Sequence, residues 1–299
     1  MAEDTPSLDI DIPQDFAFQQ QYKESLSGFD TALCEACAVS QATSGRQAHP
    51  TLGYATHVFV RILAHGRNLI RSLPGTRWVS SDHEDWDFGA NASSFRSILE
   101  AVLLFHYLCD ASPEADNQKA IVQLMHLYDL TKRTKIIHNR AMSEDEEKVR
   151  AEIVERLKDT RRFKELSPRV QKDALKGGYL MFESKDDIMS KIGWDKSSYY
   201  FLWNLTSQYA HVYSLAFYRI EPNGRGTGIE NEFDRGALAL GLDICAGLLN
   251  DATDALCKHF PDAEEARNGS NSKFSPGPAR NLPKHKKRAI RRRNRQAGK

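Results

Sequence analysis

A chain of 299 residues that is 40% hydrophobic and 27% charged can bury one substantial core, and once its basic tail is set apart from the formal net charge of +1, the acidic remainder argues against a broad phosphate-binding face. The balance hides an asymmetry: nine Lys and Arg lie between Lys284 and Lys299 with no acid among them, so the body is acidic and the tail basic. Any generic pull on nucleic acid or anionic lipid therefore falls to the tail.

Apolar residues recur at three- and four-residue spacing almost throughout, with no succession of short alternating β-branched runs. This predicts an all-α, multi-helix bundle. Residues 1–13 read as a disordered acidic N-terminus, 14–260 as the helical domain and 261–299 as a disordered linker and basic tail. A first helix is expected from Asp15 to Val39, closed by the Ser-Gly of QATSGRQ, and a second from Thr51 to Leu73, stopped by Pro74-Gly75. The third, SSFRSILEAVLLFHYLCD, ends at Asp110, and Pro113 suits the first turn of a fourth reaching Arg140. Residues 144–165 are charged on most faces and read as a solvated helix projecting from the core. They open an insertion-like stretch, 144–196, whose later part carries the turn signals KGG and ESKDD between short helices. An uncharged helix over 197–218 follows, stops at EPNGRGTG, and gives way to a last helix from Asn231 to His259, before Pro261.

The uncharged helix is long enough to cross a bilayer. Asn204, Thr206, Ser207, Gln208, His211 and Ser214 are strung through it, which argues for a buried helix and no transmembrane span. The five cysteines are odd in number, and two sit in strongly apolar patterns, which predicts a reducing, cytoplasmic setting. The opening MAEDTPSLDIDIPQDF has neither the basic nor the apolar region of a secretory signal.

Arg96 and Glu100 lie one turn apart on one face of the third helix, in a run apolar enough to be buried on most sides. Asn204, Ser207, His211 and Ser214 recur at spacings of three and four and make one polar stripe on the uncharged helix. The two sets are expected to meet across a helix interface, with His211 and the hydroxyls balancing the Arg96/Glu100 pair. Such a seam serves either as a structural contact or as a ligand or catalytic site.

The Arg-x3-Glu helix SSFRSILEAVLLFHYLCD, followed about a hundred residues later by the Ser-x3-His element NLTSQYAHVYS, resembles domain-of-unknown-function family 5677, uncharacterised all-helical bacterial proteins. The likeness covers roughly residues 50–220 in outline and implies a helical fold with Arg96, Glu100, Ser207 and His211 as candidate residues, more than a reaction. This chain departs from the pattern in placing Val212 directly after the histidine, where the helix would often break.

In KRTKIIHNR, Arg133-x4-His138 is similar to the Arg-x4-6-His motif of HEPN ribonucleases. The resemblance implies that the arginine steadies a phosphate and the histidine moves a proton to or from the ribose 2′-OH without metal. Thr134 stands where that pattern favours Asn, Asp or His, and the chain has three pairs of this spacing, Arg77/His83, Arg133/His138 and Arg280/His285, about what its composition gives by chance.

Cys34-x2-Cys37 has no second cysteine pair, no His-Glu-x2-His order occurs, and GRGTG lacks the lysine of a phosphate loop. Neither a metal nor a cofactor is expected. In the tail, Lys284, Lys286, Lys287, Arg288, Arg291, Arg292, Arg293 and Arg295 form a cluster able to neutralise RNA or DNA phosphates, with no aromatics between them to stack on bases. Two function classes follow: an interaction or nucleic-acid-associated accessory protein, with an unidentified protein partner or a second copy of itself, and a metal-independent ribonuclease or defence effector.

Overall fold

The computed structural model describes residues 16–218 and 220–274, so the expected acidic N-terminus 1–13 and the basic cluster from Lys284 to Arg295 lie outside the described residues, as does the Arg280/His285 pair. Helices α1 (Phe16–Ala42), α2 (Pro50–Ser72), α3 (Phe88–Cys109) and α4 (Ala115–Arg133) come first, in the expected order. Then follow α5 (Glu144–Lys158), α6 (Arg161–Lys164), α7 (Pro168–Leu175), α8 (Lys185–Ile192), α9 (Lys196–Ala210), α10 (Ser214–Tyr218) and α11 (Glu232–His259). No strand occurs among the described residues, and the chain is all-α.

The helix starts follow from local chemistry. His49 caps α2 by accepting from the Leu52 N–H, ahead of Pro50 in the first turn. Asp87 caps α3 by accepting from Gly89, which begins that helix a turn before its apolar run. Ser143 and Glu146 form a reciprocal capping box on α5, whose acidic first turn and basic last turn suit the helix dipole. Asn231 caps α11.

The main core is built where α1 lies along α11, α2 along α3, and α3 touches both α11 and α9. Phe29, Phe59, Phe88, Phe95 and Phe105 are fully buried there. Gly241 lets α11 come close to α3: a Cβ at that position would stand 2.8 Å from the Phe95 ring. All five cysteines are buried and unpaired.

Four expectations need correction. Residues 144–165 do not project freely: Ile153 and Leu157 of α5 are buried with Leu124, Leu127 and Leu130 of α4 and with Phe163, in a second small core. Their spacing of four leaves a narrow apolar stripe on an otherwise charged helix. The fourth helix does not run to Arg140; it ends at Arg133, passes into a π turn over Thr134–His138, and stops at Asn139 in the left-handed region, φ 45°.

The uncharged helix over 197–218 is two helices, because the chain breaks after Ala210 and Val212 takes φ 51°. No helix among the described residues is long and apolar enough to cross a membrane. Finally, the stretch after Pro261 begins as a 3-10 helix (Pro261–Ala266) and is held to the body through Phe274. Arg267 bonds Glu35 and Asp254, and the Phe274 ring stacks on Trp78 with centroids 5.9 Å apart.

Candidate functional site

The first half of α3 meets α9 along matching four-residue rows, Arg96 and Glu100 on one helix and Tyr199, Trp203 and Ser207 on the other. Arg96 donates to the Ser207 hydroxyl oxygen, and that hydroxyl donates to the Trp203 carbonyl one turn back. The Trp203 indole N–H donates to Glu100 Oε1 at 2.7 Å, and Arg96 Nη2 stands 3.3 Å from the same oxygen. Lys185, at the start of α8, brings a second cation to 4.0 Å from Glu100.

Trp203 organises these charges. The Arg96 guanidinium carbon lies 4.5 Å and Lys185 Nζ 5.3 Å from its ring centroid, so two cations face one π system while its N–H engages the carboxylate. One turn earlier, the Tyr199 hydroxyl is buried without a hydrogen-bond partner. Burial first, and then the neighbouring Glu100 charge, raise its pKa, so it stays protonated and keeps a donor to offer. The Arg96 side chain is mostly covered, whereas Glu100 and Lys185 are open to solvent, so a ligand could reach the pair.

The expected role of His211 is not met. It forms the C-cap of α9, its backbone N–H donating to the Ser207 carbonyl at 3.1 Å, and its exposed ring lies beside Tyr213. The break at Val212 is the cause: the stripe read through Asn204, Ser207, His211 and Ser214 keeps helical register only to Ser207, and Asn204, His211 and Ser214 are exposed. The Arg96/Glu100 pair is balanced by Trp203, Lys185 and Ser207 instead.

Arg133 and His138 sit on another element. Arg133 is exposed at the end of α4, 3.7 Å from Asp129, and His138 closes the π turn, its side chain outside the described residues. Beside them lies a shallow cavity of about 330 Å³ lined by Thr131, Thr134, Lys135, Asn139, Arg140 and Met142. Ile136 and Ile137, on the turn itself, are exposed. Arg77, of the Arg77/His83 pair, serves the fold by binding Asp30.

Trp203, Tyr199 and Lys185 were missed in the sequence because an apolar helix full of aromatics reads as core. The available signal was the four-residue spacing of Tyr199, Trp203 and Ser207. A second surface feature begins on the same helix: Tyr200 and Phe201 of α9, Tyr213 of the break, and Phe217 and Tyr218 of α10 are exposed. Among the described residues, one group brings three metal-ligand side chains together, Cys109, Asp110 and His259.

Comparison of the chain with protein-family models, with curated proteins and with solved structures gives no match.

Proposed function

We propose that this is a nucleic-acid-associated accessory protein that holds single-stranded RNA or DNA through two kinds of contact. The basic tail, Lys284 to Arg295, supplies phosphate neutralisation, and the face of α9 and α10 supplies stacking. The observation that carries this reading is the set of exposed aromatics, Tyr200 and Phe201 on α9, which also holds Trp203 against Arg96 and Lys185, with Tyr213 in the break after it and Phe217 and Tyr218 on α10. Exposed aromatic rings are costly in water and suit unstacked bases, every one of which presents a π face, while neighbouring cations meet the backbone.

The test uses the full chain and a labelled single-stranded RNA oligonucleotide across a salt series. Replacing the eight named tail cations with Gln should flatten the dependence of log affinity on log salt, because fewer counterions are released. Phe201→Ala with Tyr213→Ala should lower affinity about tenfold or more at every salt while leaving the slope unchanged. Absence of binding by the wild type at low salt would reject the reading.

A second reading, a metal-independent ribonuclease using Arg133 and His138, draws support from the π turn that joins them, a rare geometry that recurs at functional sites. It requires RNA cleavage in EDTA that His138→Ala abolishes and His211→Ala spares. Binding without cleavage would exclude it.

A further inference from the structure

The last turn of α3 and the end of α11 form a second polar seam that the nucleic-acid reading does not use. We infer that Cys109, Asp110 and His259 bind one divalent transition-metal ion, zinc by its donor set, with a fourth position left for water or a ligand. One ligand atom of each residue lies within 4.8 Å of the other two. Around a tetrahedral zinc, with bonds of about 2.0–2.3 Å, donors stand roughly 3.2–3.8 Å apart. The widest pair must therefore close by up to about 1–1.6 Å. Cys109 is fixed in the core, but Asp110 and His259 are exposed and can turn inward.

The register of the two helices supports this. Asp251, Ala255 and His259 recur every four residues on α11 and face successive groups of α3. The Cys109 thiol points at the Ala255 carbonyl at 3.9 Å, one turn below His259. His106, buried one turn before Asp110, has Nδ1 3.1 Å from Asp110 Oδ2. Its Nε2 stands 3.3 Å from Asp251 Oδ2 without making a hydrogen bond. Asp251 in turn accepts from the Trp194 indole at 2.8 Å. Asp110 is thus oriented by a contact with a buried imidazole, as the carboxylate ligands of metal sites are oriented by outer hydrogen-bonding groups, and Asp251 lies on the far side of that ring.

Two further facts favour a cation. α3 ends at Cys109 and α11 at His259, so the carbonyl ends of two helix dipoles converge on the group. The donor set of thiolate, imidazole and carboxylate is that of zinc and its neighbours, since calcium and magnesium prefer oxygen alone. On binding, the metal–sulfur bond replaces the thiol S–H and the proton passes to solvent. No short motif announces the site, because its ligands come from helices far apart in the chain.

The experiment titrates the full-length protein with zinc alone and with cobalt(II) alone as a spectroscopic probe. The expected result is one metal per chain, with a thiolate-to-cobalt charge-transfer band and the intense visible bands of four-coordinate cobalt. Cys109→Ser should abolish the charge-transfer band. His259→Ala, at an exposed position where folding is not at risk, should weaken zinc binding about tenfold or more, while Cys37→Ser leaves it unchanged. Absence of the band in the wild type, its survival in Cys109→Ser, or wild-type affinity in His259→Ala would each overturn the assignment.

Discussion

Asp30 and Glu100 are carboxylates held by the same two kinds of group, an arginine and a tryptophan indole, yet they sit in different surroundings. Asp30, on α1, accepts from Trp78 Nε1 at 2.7 Å and Arg77 Nη2 at 3.1 Å, with the Cys34 thiol at 3.4 Å, and its side chain is 13% exposed. Arg77 also donates to the Ser270 carbonyl, so the cluster ties α1, the loop after α2 and the segment after α11 into one anchor. Glu100 accepts from Trp203 Nε1 at the same 2.7 Å and faces Arg96, but its side chain is 41% exposed. Lys185 stands at its edge and the Tyr199 hydroxyl beneath it has no partner. The closed version spends its donors on the fold; the open version keeps capacity for a ligand.

This contrast can be broken in several ways. The largest expected effect comes from the support beneath the open site. Phe95→Ala empties the α3–α11 contact next to Arg96 and should cost about 3–5 kcal/mol in chemical denaturation. Next, Asp30→Ala leaves Arg77 and the Trp78 N–H without their carboxylate. It should cost about 2 kcal/mol, less than the ~3–5 of a fully buried pair because Arg77 is 58% exposed. Glu100→Ala should cost under about 1 kcal/mol by the same assay. Equal losses at Asp30 and Glu100 would erase the distinction between anchor and site.

A pH series sharpens it further. Burial pushes the Asp30 pKa up, but the hydrogen bonds from Arg77, Trp78 and Cys34 outweigh it and hold the carboxyl below its ordinary value. A depressed folded-state pKa means that the unfolded chain takes up the proton first. The stability Asp30 contributes is therefore fully present above the ordinary carboxylate pKa, about 3.9, and is lost as pH falls through the depressed value. Denaturation midpoints measured below about pH 4 should fall less steeply in Asp30→Asn than in the wild type. An unchanged acid limb would remove Asp30 from the account.

The fold was largely legible. Periodicity and the stops at Pro74-Gly75 and Pro261 placed α1, α2 and α11 to within a few residues, and α3 differed only because the Asp87 cap starts it a turn sooner. Arg96, Glu100 and Ser207 were legible as a meeting of two helices because four-residue spacing survives translation into three dimensions. His211 was misplaced because a periodic stripe carries no warning that Val212 adopts a left-handed backbone. Trp203 and Lys185 went unseen for different reasons: one was hidden among core-like aromatics, and the other lies on a short helix whose placement is set by tertiary packing. The likenesses to family 5677 and to HEPN proteins remain expectations drawn from short motifs.

The most direct test of the central claim, that the open side of α9, with the aromatics that continue past it, binds nucleic acid while the Asp30 cluster is an anchor, is single-stranded RNA affinity measured side by side for three full-length proteins at a temperature where all are folded. These are the wild type, Phe201→Ala with Tyr213→Ala, and Asp30→Asn. The account predicts a loss of about tenfold or more in the aromatic variant and affinity within about twofold of wild type in Asp30→Asn. Equal affinity in all three, or a loss confined to Asp30→Asn, would contradict it.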